Sequence, residues 1–113
     1  MSSMIKTALF ILLLVSMDVL ASQETGRIER ILINKDIPNA VILNVASDVE
    51  PTKATCVTGW EWVIDISTET GKAQYSLALA LYMSGKTIVI QGNDNCDAGL
   101  YGHAELVRYI YPK

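Results

Sequence analysis

The 113 residues predict a small α+β, mainly β, single domain: a five-stranded OB-like barrel with one helix between strands three and four. Two observations carry this. Short β-branched runs punctuated by turn-formers recur along the chain, and their order is three strands, one helix, two strands. In such a barrel the helix plugs one end. A sheet with the helix packed on one face is the alternative. Closure is favoured because it hides strand edges that so short a chain has little else to cover with.

Residues 1–21 read as an export signal. Lys6 lies near the start, residues 8–15 are apolar, and Val19-Leu20-Ala21 places small or apolar residues where a signal peptidase cuts. The domain is then residues 22–113, secreted or periplasmic. The apolar stretch is about half the ~20 residues that cross a bilayer, and no later segment is as apolar and uninterrupted, so no membrane span is expected after signal removal.

Residues 22–26 are polar and read as a frayed terminus. Residues 27–34 (RIERILIN) and 40–46 (AVILNVA) form a hairpin across the turn-forming KDIPN, and residues 47–55 a surface loop. Residues 60–66 (WEWVIDI) alternate most cleanly, with Trp60, Trp62, Ile64 and Ile66 on one face and Glu61, Val63 and Asp65 on the other. Residues 67–85 read as a helix: Ser67, Thr68 and Thr70 are N-cap candidates, Glu69 sits at the positive end, and Gly85 stops it. Ala73, Leu77, Ala80, Leu81 and Ser84 make one stripe, but Ala78, Leu79, Tyr82 and Met83 leave the other side apolar too. Residues 86–92 are a short strand, 93–102 (NDNCDAGLYG) a loop, and 103–111 the last strand.

Losing residues 1–21 removes Lys6 and Asp18, so the net charge stays at -3. The basic residues are scattered singly, with no stripe to displace counterions from a polyanion, which argues against nucleic acid. Two cysteines in an exported chain most simply pair, so Cys56–Cys96 is the expected disulfide. No CxxC spacing exists, and a lone histidine does not complete a zinc site with them. No cofactor or metal is expected.

Six residues make the candidate ligand-binding set: Trp60, Asn93, Asp94, Asp97, Tyr101 and His103. Trp60 stands at the start of its strand beside Gly59 and offers a flat apolar face, whereas Trp62 reads as core. Asn93, Asn95 and Asp97 alternate like calcium-loop ligands, but Ala98 replaces the required glycine and Glu105 lies one residue too far, so a turn-rich loop is the better reading. His103 and Glu105 are two apart on an expected strand, the spacing for a carboxylate-oriented imidazole, though no nucleophile is tied to them. Asp65 is expected to cap the helix or pair with Lys72, and Tyr109 and Tyr111 to form an exposed ladder on one face with Val107 and Glu105.

Cys56, the Trp60-x-Trp62 strand ending in Asp65, Ser67-Thr68-x-x-Gly71-Lys72, Gly85-Lys86, Cys96 and Glu105-x-x-x-Tyr109 together resemble a group of short exported proteins of Gram-negative bacteria. That likeness covers about half the chain and brings no mechanism. The element order is similar to the binding subunits of bacterial AB-type toxins, OB-fold rings of five that bind surface glycans. It implies a homo-oligomer with a glycan or protein ligand, as an analogy of fold alone. The expectation is therefore a non-catalytic binding or assembly module. The alternatives are a small inhibitor of a hydrolase acting through residues 93–102, and a hydrolase using His103 and Glu105.

Overall fold

The computed structural model describes residues 22–59, 61–97 and 99–113. The expected signal (residues 1–21), Trp60 and Ala98 lie outside the described residues. The elements are β1 (Gln23–Ile33), β2 (Ala40–Ser47), β3 (Glu61–Asp65), α1 (Glu69–Ser84), β4 (Ile88–Gly92) and β5 (Glu105–Pro112). The strands close into a barrel in the order β1-β2-β3-β5-β4, with β4 paired back onto β1. All pairings are antiparallel except β3–β5, which is parallel. Among the described residues no helix is long and apolar enough to cross a membrane.

β1 begins four residues earlier than its apolar pattern predicts. Gln23 to Gly26 are not frayed but pair with Gln91 to Ile88, and Ser22 is itself buried. The polar letters misled because Glu24 points inward and is paired there.

The interior is filled by Ile28, Val41, Leu43, Val45, Trp62, Ile64, Ile88, Ile90, Val107 and Ile110, with Ala78 and Leu81 of α1 entering from one end. β2 shows no alternation in its sequence because both its faces are covered. Ala40 and Ile42, on the outer face, join Val63 and Ala104 in a second cluster, with Leu100, Tyr101 and Leu106 packed against it. Val63, expected on a polar face, is therefore fully buried beneath the β4–β5 loop. Ile66 lies beyond the end of β3 but still packs on the main core.

Thr68 is the N-cap of α1, accepting from the Gly71 N–H at 2.9 Å. Gly85 closes the helix at φ 67°, where a side chain is strained, and its N–H donates to the Tyr82 carbonyl. The buried stripe is Gly71, Ala78 and Leu81 with Tyr75 partly covered; of the predicted stripe Ala73, Leu77, Ala80, Leu81 and Ser84, Leu81 is buried and the other four are exposed. With apolar residues on both sides, the period alone could not choose the face. Asp65 neither pairs with Lys72 nor caps the helix: its carboxylate accepts from the Ser67 hydroxyl at 2.6 Å and N–H at 2.9 Å, while Lys72 meets Glu69. The Ser67 hydroxyl and then its N–H hold the Asp65 carboxyl below the usual range.

β3 and β5 pair over only Trp62↔Glu105 and Val63↔Leu106, the shortest contact in the barrel. The disulfide Cys56–Cys96 joins the segments that precede these two strands, with Cα atoms 6.0 Å apart. It thus staples the weakest seam and closes a 40-residue separation. Replacing both cysteines with serine should cost about 4 kcal/mol in urea unfolding; a loss under about 1 kcal/mol would show that the seam holds without it.

Candidate functional site

Chain direction fixes which groups meet at each end of the barrel. The starts of β1, β3 and β5 and the ends of β2 and β4 share the end opposite α1. Two long loops, β2–β3 and β4–β5, also converge there and are joined by the disulfide. Five of the candidate residues, Asn93, Asp94, Asp97, Tyr101 and His103, belong to the β4–β5 loop.

Under these loops lie two buried carboxylates: Glu24, which sequence reading left out of the site, and Glu105, which it considered as a partner of His103. Glu24 accepts from the Trp62 indole N–H at 2.7 Å, from the Lys53 ammonium at 2.8 Å and from the Ser47 hydroxyl. The same ammonium sits 4.4 Å from the centre of a Trp62 ring, a cation–π contact. Glu105 is fully buried, and its two oxygens accept from the backbone N–H groups of Ala54 at 3.2 Å and Asp94 at 2.7 Å. Gly92 makes room for it: a Cβ there would lie 2.0 Å from Glu105 Oε2 and 2.8 Å from Trp62. The one available signal was Glu105 standing in a strand beside apolar neighbours, whereas Glu24 lies in a polar run between Gln23 and Thr25. Nothing local says that such residues point inward.

The predicted loop residues serve mainly to shape the loop. Asn93 Oδ1 accepts from the Asn95 N–H at 3.0 Å and Asp97 Oδ1 from the Gly99 N–H at 2.9 Å, both side chains bonding two residues ahead. Asp94 takes a left-handed backbone at φ 64° and accepts from the Ser22 hydroxyl at 2.8 Å. Tyr101 lies over the second cluster and donates to Glu61 at 3.3 Å. Burial, the Glu61 charge and that hydrogen bond push its phenol above the ordinary value.

His103 and Glu105 are not brought together. β5 begins only at Glu105, so His103 stands exposed in the preceding turn, edge-on to Tyr101 with ring centres 5.5 Å apart. Glu105 instead faces backbone amides. The tyrosine ladder also differs from expectation. A register shift between Gln91 and Gly92 puts Val107 and Glu105 inward while Tyr109 and Tyr111 face out.

A cleft of about 330 Å³ opens beside this end, lined by Glu24, Glu29, Val45, Ser47 and Pro51. Every buried side-chain N and O atom among the described residues has a hydrogen-bond partner, so the polar cluster is complete as it stands. Comparison with protein-family models, curated proteins and solved structures finds no match to this chain.

Two predictions follow from this geometry. Glu24→Ala removes the buried acceptor shared by the Trp62 indole N–H, the Lys53 ammonium and the Ser47 hydroxyl, and should cost about 3 kcal/mol in chemical denaturation; a neutral result would deny the carboxylate its structural role. The Tyr101 phenol, raised on folding, contributes stability that is intact below pH 10 and is lost as pH climbs through its folded value. Near-ultraviolet absorbance titration should show one tyrosine ionising late, and Glu61→Gln should bring it earlier.

Proposed function

We propose that this chain is an exported, non-catalytic binding module that self-associates, its OB-like barrel serving as a scaffold for recognising a glycan or a protein. The observation that carries the reading is the set of large apolar side chains that α1 leaves exposed. Leu77, Leu79, Tyr82 and Met83 are all exposed, Met83 at 80 %. The helix meets the barrel core through Ala78, Leu81 and the partly buried Tyr75, and so much remaining apolar surface on one short helix is what a partner would cover.

Other features support the same reading. The strand order and the place of the helix suit an OB-type barrel, an architecture used widely for oligosaccharide and other ligand binding. A disulfide fits an oxidising compartment. The two ionisable groups that offered catalysis have other surroundings: Glu105 is engaged by amides, and His103 lies against Tyr101 in a turn. The stapled loops and the cleft at the polar end give a rigid rim of the kind that presents binding groups.

Sedimentation equilibrium on the processed, oxidised chain should give a mass several times that of one copy. Leu79→Glu with Met83→Glu should return it to one copy without changing the circular dichroism. A wild-type protein that stays monomeric at high concentration would overturn the self-association, and turnover of any substrate that vanishes with His103→Ala would overturn the non-catalytic assignment.

A further inference from the structure

The outer face of β1, β4 and β5 carries two rows of side chains in which Thr25 and Val89 are buried while Tyr109 and Tyr111 stay exposed. Ile88, Ile90 and Ile110 point into the barrel, so their neighbours in β4 and β5 point out. Register aligns Gln23, Gln91 and Tyr109 across the three strands, and Thr25, Val89 and Tyr111 in the next row. The Tyr109 hydroxyl donates to the Gln91 carbonyl, and the Gln91 amide donates to Gln23 Oε1 at 2.8 Å. That chain of bonds orients three polar groups in one direction and ends on the Gln23 amide N–H groups, which face water.

The two tyrosine rings lie 5.9 Å apart at an interplanar angle of 31° and are 40 % and 43 % exposed. They make a broad, slightly cupped aromatic shelf, and Val89 and Thr25 beside it are buried. No residue of the two rows is charged, in a chain where charged residues are 19 % of the whole.

We propose that this face binds a neutral pyranose ring. The C–H side of a sugar is flat and weakly positive, which suits the electron-rich face of a phenol. Its ring-edge hydroxyls both donate and accept, which suits a phenol and two amides already aligned by their own hydrogen bonds. The missing charge is the complement of a neutral ligand: an acidic sugar or a charged peptide would find no counter-ion in either row. The proposal rests on the binding-module reading and gives its ligand a chemical class and a place.

The test uses the full oxidised chain with methyl glycosides of neutral hexoses and N-acetylhexosamines, read by saturation-transfer difference NMR. Transfer to the pyranose C–H protons is expected. Tyr111→Ala and Gln91→Leu should each weaken binding about tenfold while circular dichroism stays unchanged. Binding that both variants leave intact would overturn this site yet spare the module reading, since the sugar would then sit elsewhere. Transfer to sialic acid but to no neutral glycoside would overturn the ligand class. Transfer to a proline-rich peptide alone would make the shelf a protein contact and overturn the sugar. Failure of the self-association, read separately by sedimentation, touches none of these outcomes.

Discussion

Two carboxylates hold the end of the barrel that the helix does not fill. Glu24 connects β1 to β3 through the Trp62 indole, to the end of β2 through Ser47 and to the β2–β3 loop through Lys53. Glu105 connects the start of β5 to that loop at Ala54 and to the β4–β5 loop at Asp94. Charges removed from water are costly, and these are sustained only because their oxygens meet an ammonium, an indole, a hydroxyl and backbone amides. The arrangement acts as a polar plug matching the apolar plug supplied by Ala78 and Leu81 at the far end. It also explains Gly92, whose missing side chain is the space that Glu105 and Trp62 occupy.

A second consequence of small size is the use of the outside of the barrel. So few residues leave little interior, so the β4–β5 loop lays Leu100, Tyr101 and Ala104 over Ala40, Ile42 and Val63 and adds a second, external core. The loop that sequence reading treated as a candidate binding element is therefore also a cover. Its asparagines and aspartates mainly bend the backbone, and its aromatic side chain packs inward. On the binding reading proposed above, recognition falls to the apolar side chains exposed on α1 and to the tyrosine shelf.

The element order was legible because alternation in residues 60–66 and turn-formers between the runs are local signals. So were the disulfide partners, the helix stop at Gly85 and the burial of Trp62. What stayed hidden was set by contacts distant in sequence. The first residues of β1 look polar, and only pairing with β4 and the inward Glu24 make them strand. Val63 and the continuous apolar run of β2 gave no hint of a second buried face. The helix stripe was right only at Leu81, because its far side is apolar as well. The apparent His103–Glu105 pairing assumed that β5 starts two residues sooner than it does. The register shift at Gln91/Gly92 reversed which residues accompany Tyr109.

The brevity of the β3–β5 contact also governs how the molecule breathes. A join of two residue pairs is the seam that opens at least cost, and the amides of β3 and β5 that face each other across it should exchange with solvent deuterium sooner than those of the longer ladders. The cross-link ties the chain just ahead of both strands, which limits how far they can part. Oxidation should therefore restrain the local opening of the sheet as well as shift the balance between native and unfolded forms.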